Sequence, residues 1–190
     1  MIPSKRPLAF WAVSAITVAS LVSLILVAPL AAAGGHNEIA AGIYRAFGVL
    51  CHQLPERSFF IYGHKFAVCS RCTGIYGGFA LTLLLYPLIR SLRATHMPSR
   101  KWLVLAAIPL VIDFSLTFFG VWENTHTSRF LTGLLLGSVA VFYVMPGISD
   151  WSLRSLRSSI AAQPRVTFTL ASPQTIASAA SDYSAPDRRI

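Results

Sequence analysis

Four long apolar runs, broken by short polar or basic segments, set the rhythm of this chain. From Leu8 to Ala33 there is no charged residue, which exceeds the ~20 apolar residues needed to cross a ~30 Å hydrocarbon core. Three more runs, at about 73–88, 102–121 and 130–145, predict three further spans, and the third span carries Asp113. Gly34-Gly35 breaks the first helix, and Asn37 is placed to cap a short helix from about Glu38 to Leu50. Ile39, Ile43, Phe47 and Leu50 lie along one side of it. It is too short to span and carries Arg45, so an interfacial position is expected. Pro55 and Gly63 mark the connector that follows as irregular.

Gly74 and Gly78 in the second span, and Gly133 and Gly137 in the fourth, leave helix faces bare of side chains. Such faces permit close helix packing or a homodimer through the glycines. After Pro146-Gly147 the apolar pattern stops. The expected organisation is a basic cytoplasmic head at 1–7, a membrane domain at 8–147 containing a Cys/His loop at 34–72, and a basic, mostly disordered cytoplasmic tail at 148–190. The fold class is all-α and integral to the membrane, with four transmembrane helices and a short interfacial helix. Ala31-Ala32-Ala33 would also suit signal-peptide cleavage. The run before it is longer than the usual ~7–15 residues of a signal core, so a retained helix is favoured.

Composition agrees with the pattern. Of 190 residues 54% are hydrophobic, and a mean hydropathy of +0.60 is too high for an ordinary soluble domain. The net charge of +9 does not point to nucleic acid, because the basic residues flank apolar runs rather than gather on one soluble face. The partner they imply is the lipid bilayer. Lys5, Arg6, the Arg90–Lys101 loop and the tail fall on one side of a four-span bundle. The positive-inside rule then gives a cell (inner or plasma) membrane protein with both termini cytoplasmic. The Cys/His loop and the Trp122–Arg129 turn fall on the opposite side.

All three cysteines lie within 22 residues: Cys51, then Cys69 and Cys72. Both sulfurs of a Cys-x-x-Cys pair can reach one ion, and Cys51 adds a third thiolate. His52 is the preferred fourth ligand and His64 its substitute. This donor set suits zinc, with iron the runner-up. Thr73 follows Cys72 where haem attachment requires histidine. The rival reading is a membrane thiol–disulfide oxidoreductase exchanging at Cys69 and Cys72, with Cys72 at a helix N-terminus. A plain structural disulfide is the blandest reading.

Asp113 should sit ~13 Å inside the extracytoplasmic end of its helix. A carboxylate there needs a partner. Arg129 is the nearest candidate, and Arg57 or Arg71 could also descend. Asp113 and Arg129 are thus the candidate catalytic residues, or the core of a transporter or lipid-binding module. The alternative for Asp113 is a structural ion pair. Asn124 and His126 could complete a site with His52, whereas His36 and His96 read as plain loop residues.

Cys51-His52-Gln53, Pro55, Arg57-Ser58, Cys69-x-Arg71-Cys72-Thr73-Gly74-Ile75-Tyr76, Asp113, Arg129 and Thr132-Gly133 together resemble a known family. It comprises small prokaryotic multi-pass membrane proteins, catalogued as a predicted membrane protein domain of unknown function. The resemblance covers about residues 45–146. It implies membership and a membrane location, and no particular activity.

Overall fold

The structure, a computed structural model, describes residues 6–161. It contains α1 (Arg6–Ala33), α2 (Asn37–Gly48), α3 (Ser70–Ile89), α4 (Arg100–Phe118) and α5 (His126–Ala161). A 3-10 turn at Pro55–Arg57 and a small antiparallel hairpin, β1 (Phe60–Ile61) with β2 (His64–Lys65), lie between α2 and α3. Four of the helices, α1, α3, α4 and α5, are long and apolar enough to cross a membrane. The described residues up to Ser155 form one compact unit, and residues 156–161 are the end of α5.

Two helix ends share one chemistry. At the end of α1, His36 N–H donates to Ala31 O at 2.8 Å and Gly35 N–H to Ala32 O at 3.2 Å. At the end of α4, Val121 N–H donates to Leu116 O at 3.0 Å and Gly120 N–H to Thr117 O at 3.1 Å. Both are Schellman closures, and Gly35 and Gly120 take the left-handed conformation this requires, at φ 79° and 67°. The third span therefore ends at Phe118, short of the expected 121. The hairpin turn uses the same backbone region, Tyr62 at φ 50° and Gly63 at φ 77°, as a two-residue turn with matching twist demands.

Prolines inside two helices leave acceptors that other segments use. Pro29 has no N–H to offer the Ile25 carbonyl four residues back. That carbonyl instead accepts Ala67 N–H at 3.4 Å, tying the loop to α1. Pro87 likewise leaves the Leu83 carbonyl without its intrahelical donor, and it accepts Trp11 Nε1–H at 2.8 Å, tying α1 to α3. Around these ties are two apolar clusters. One joins Ile25 and Ala28 of α1 to Phe47, Cys51, Phe66, Ala67 and Val68. The other joins Ala15 to Leu83, Tyr86, Val141 and Met145.

The glycine faces are consumed within the chain rather than left for a homodimer. A methyl placed on Gly74 or Gly78 would strike the Phe130 and Leu134 carbonyls of α5. One on Gly133 or Gly137 would strike the Arg71 and Ile75 carbonyls of α3. The backbones of α3 and α5 touch along this seam, which only glycine permits.

α2 also differs from expectation. Asn37 is its first residue rather than its cap, and His36 precedes it without a side-chain cap bond. Ala40 and Phe47 are buried, with Ile43 and Tyr44 packed beside them, whereas Ile39 and Leu50 are exposed. The buried stripe is turned one position from the one expected. α5 runs through Pro146 instead of stopping there, because proline removes only one backbone bond. Beyond it, Ser149 Oγ donates to Leu92 O at 2.9 Å and Arg154 pairs with Asp150 one turn earlier at 2.8 Å. The expected tail is thus helical through Ala161, and its residues 162–190 lie outside the described residues.

Candidate functional site

Cys51 leaves the last turn of α2, its N–H donating to Phe47 O at 3.0 Å, and is buried against α1. Gln53 then reverses the chain with φ 52°. Its side chain donates to Tyr44 O at 2.7 Å, and its carbonyl accepts Lys65 Nζ at 2.8 Å. Tyr44 OH closes the loop onto Lys65 O at 2.5 Å. The third residue of the Cys-His-Gln triplet therefore anchors the loop. On the far side, Cys69 is the residue before α3 and Cys72 lies in its first turn. Cys69 N–H donates to Cys51 Sγ at 3.2 Å, and Thr73 closes back onto Cys69 O through both its N–H and its hydroxyl.

The three sulfurs lie within 4.8 Å of one another. In a tetrahedral zinc site with Zn–S near 2.3 Å the sulfurs are about 3.8 Å apart, so a small contraction would bring all three onto one ion. Hydrogen bonds from the Cys69 and Cys72 thiols, in that order, hold Cys51 well below the ordinary thiol range, against an opposing push from burial. A thiolate is the form that ligates metal or attacks a disulfide. Among the described residues, neither His52 nor His64 joins this group. His52 is exposed and lines the same cavity as the sulfurs, whereas His64 is in β2, paired with Ile61.

A second polar cluster begins one residue from the first. Arg71 Nη2 meets Asp113 Oδ2 at 2.6 Å. Asn124 donates to the same carboxylate oxygen at 2.7 Å, and its Oδ1 accepts Arg129 Nε at 2.5 Å. The partner of Asp113 is thus Arg71, and Arg129 reaches it through Asn124. Asp113 is also shallower than expected, about 7–8 Å from the end of α4 rather than ~13 Å, because the Schellman closure ends that helix early. Both members of the ion pair are largely buried, with side chains 19% and 11% exposed. Ala106 is the one buried residue of α4, so these polar bonds hold the end of a helix that the rest of the chain covers little.

The sequence groups Asn124 with His52, whereas in the fold it bridges Asp113 and Arg129. The usable signal was its position just past the glycine stop of α4, where the chain must fold back over that helix's last turns. His126 is exposed and sits at the start of α5, where its Nδ1 lies 3.0 Å from Ser70 Oγ. Ser70 Oγ donates its one proton to Arg57 O at 3.0 Å, so His126 Nδ1 must carry the proton in that contact. Ser70 is fully buried and stitches the Pro55–Arg57 turn, α3 and α5 together.

A cavity of about 460 Å³ adjoins both clusters. The three cysteines, Arg57, Arg71 and Arg129 are among its walls. The arrangement can hold a soft metal ion, exchange thiols, or accept a ligand beside fixed positive charge.

Known proteins place this arrangement in a family. An uncharacterized protein of Methanocaldococcus jannaschii is 41% identical over 108 residues, which is 57% of this chain and 69% of that protein. An uncharacterized protein of Methanothermobacter thermautotrophicus is 43% identical over 91 residues, 48% of this chain and 80% of its own. No solved structure matches the chain. The family described as "Predicted membrane protein (DUF2085)" matches residues 51–143, from the first cysteine of the cluster into α5. The chain belongs to this family of predicted membrane proteins of unknown function.

Proposed function

We propose that this multi-pass membrane protein binds a metal ion, zinc in first place and iron as the runner-up, through Cys51, Cys69 and Cys72. The observation that carries the reading is three sulfurs within 4.8 Å of one another, drawn from two segments that the fold brings together. His52, on the same cavity, is the natural fourth ligand; where it stays away, a water position is open and metal-assisted hydrolysis becomes available. The site lies at one end of the spans, with the C-terminal ends of α1 and α4 and the N-terminal ends of α3 and α5. The Arg90–Lys101 segment belongs to the other end. That charge asymmetry supports cytoplasmic termini and an extracytoplasmic site. Packing of Ile25 and Ala28 against Cys51 supports a retained first span.

A membrane thiol–disulfide oxidoreductase using Cys69 and Cys72 is the second reading, supported by the same closeness of the three sulfurs.

Metal content and free thiols, counted on one anaerobically purified, detergent-solubilised sample, separate the two. The expected result is about one zinc per chain, with thiols that react only after chelation. Cys51→Ser, Cys69→Ser and Cys72→Ser should each abolish stoichiometric zinc. Metal-free protein holding one disulfide and one free thiol sinks the metal reading and leaves the redox one standing.

A further inference from the structure

The cavity beside the cysteines carries more positive charge than the ion pair next to it uses. Arg57, Arg71 and Arg129 are among its lining residues, and among the described residues no aspartate or glutamate lines it. Asp113, which pairs with Arg71, is not among the lining residues. Among the described residues the Arg57 guanidinium pairs only with Glu56, at 3.9 Å and with both side chains exposed, a contact of little strength. Arg129 is the sharpest case. It is 9% exposed, and its Nε is committed to Asn124. Among the described residues its Nη atoms have no hydrogen bond and no ion pair, yet the side chain borders the cavity. Those Nη atoms are not closed off from solvent, so they stand open to an anion in the cavity. Were the three thiolates to hold a dication, the net negative charge of that cluster would offset only one of the two surplus arginines.

The rest of the wall says what kind of anion. Leu54, Phe114 and Phe118 border the cavity and are 38%, 50% and 72% exposed, so part of its wall is apolar and open. A volume of about 460 Å³ is within the usual range for a small-molecule site. Planar guanidinium forks match phosphoryl oxygens two at a time, which a chloride ion cannot exploit. We propose that this cavity binds a phosphoryl oxyanion between Arg129 and Arg57, with room beside it for the apolar part of an amphiphile. The shared chemistry is the phosphoryl group, carried by a lipid headgroup or free in solution. The proposal stands on the arginines and does not rest on metal binding.

The test is thermal unfolding of the full chain in neutral detergent at constant ionic strength. Inorganic phosphate and a short-chain phosphatidic acid are titrated in parallel, with chloride as the reference. A saturable rise in the midpoint with at least one phosphate probe is expected. Phosphatidic acid acting alone assigns a lipid headgroup, and inorganic phosphate acting as well assigns a small oxyanion; both outcomes support the site. Arg129→Gln should weaken the apparent Kd about ten- to a hundredfold, the usual effect of losing charged hydrogen bonds. Leu54→Glu, on the loop outside the ion-pair network, should weaken it at least tenfold by placing a carboxylate in the cavity. No shift beyond chloride with either probe overturns the proposal, as does binding that both variants leave unchanged. Binding that disappears on chelation while the chain stays folded also overturns it, since the anion would then belong to a metal.

Discussion

Asp113 shows how a carboxylate is kept near the end of a membrane-spanning helix. Its charge is met by Arg71 at 2.6 Å, and Asn124 supplies a second donor at 2.7 Å to the same oxygen. Removing the carboxylate leaves Arg71 buried without its counter-charge, and Arg71 Nε already has no partner. Asp113→Ala is therefore expected to destabilise the chain by roughly 3–5 kcal/mol, the usual penalty for breaking a buried pair from one side. Arg71→Met combined with Asp113→Leu should recover much of that loss, because no lone charge remains. Denaturation midpoints of Arg71→Met, Asp113→Leu and the double variant in one detergent give the answer. Additive losses would mean the two residues do not act as a pair. The ion pair was only partly legible beforehand. Arg71 was one of three candidate cations, and the choice among them depended on where α4 stops.

At the scale of elements, glycine and proline decide how the helices meet. The seam between α3 and α5 has no room for a methyl at Gly78, where it would overlap the Leu134 carbonyl, whereas Gly77 on the next face has open space. Gly78→Ala should destabilise by about 1–3 kcal/mol through overpacking. Gly77→Ala should be neutral or slightly stabilising, since alanine is the better helix former by about 1 kcal/mol. Parallel thermal melts settle it; equal effects at the two positions would refute the seam. The four-residue spacing of these glycines was visible in the sequence. Which helix filled the groove was not, because a small-residue stripe looks the same facing its own chain or another copy. The prolines of α1 and α3 were invisible as docking features for a related reason. Their missing N–H groups are plain, but who takes the freed carbonyls depends on segments 42 residues on from Ile25 and 72 residues back from Leu83.

For the whole molecule, the proposed orientation places the cysteine cluster and the Trp122–Arg129 turn across the membrane from the Arg90–Lys101 loop. Thr127 and Thr95 are exposed on the respective segments. A membrane-impermeant maleimide applied to intact cells should label Thr127→Cys above the level of the unaltered chain. Thr95→Cys should be labelled only after permeabilisation. The reverse pattern would invert the topology and place the site in the cytoplasm.

The sequence by itself determined the number of spans, their approximate limits, the break at Gly34-Gly35 and the confinement of all cysteines to one segment. These follow from run length, local backbone chemistry and composition, which need no knowledge of what packs where. Only the tertiary structure decided that three sulfurs converge while His64 stays in its hairpin, that Arg71 rather than Arg129 meets Asp113, and that the glycine faces close on each other. Each of those depends on the rotation and vertical offset of one helix against another. Hydropathy and spacing leave both free, and they are set by contacts between residues far apart in the chain.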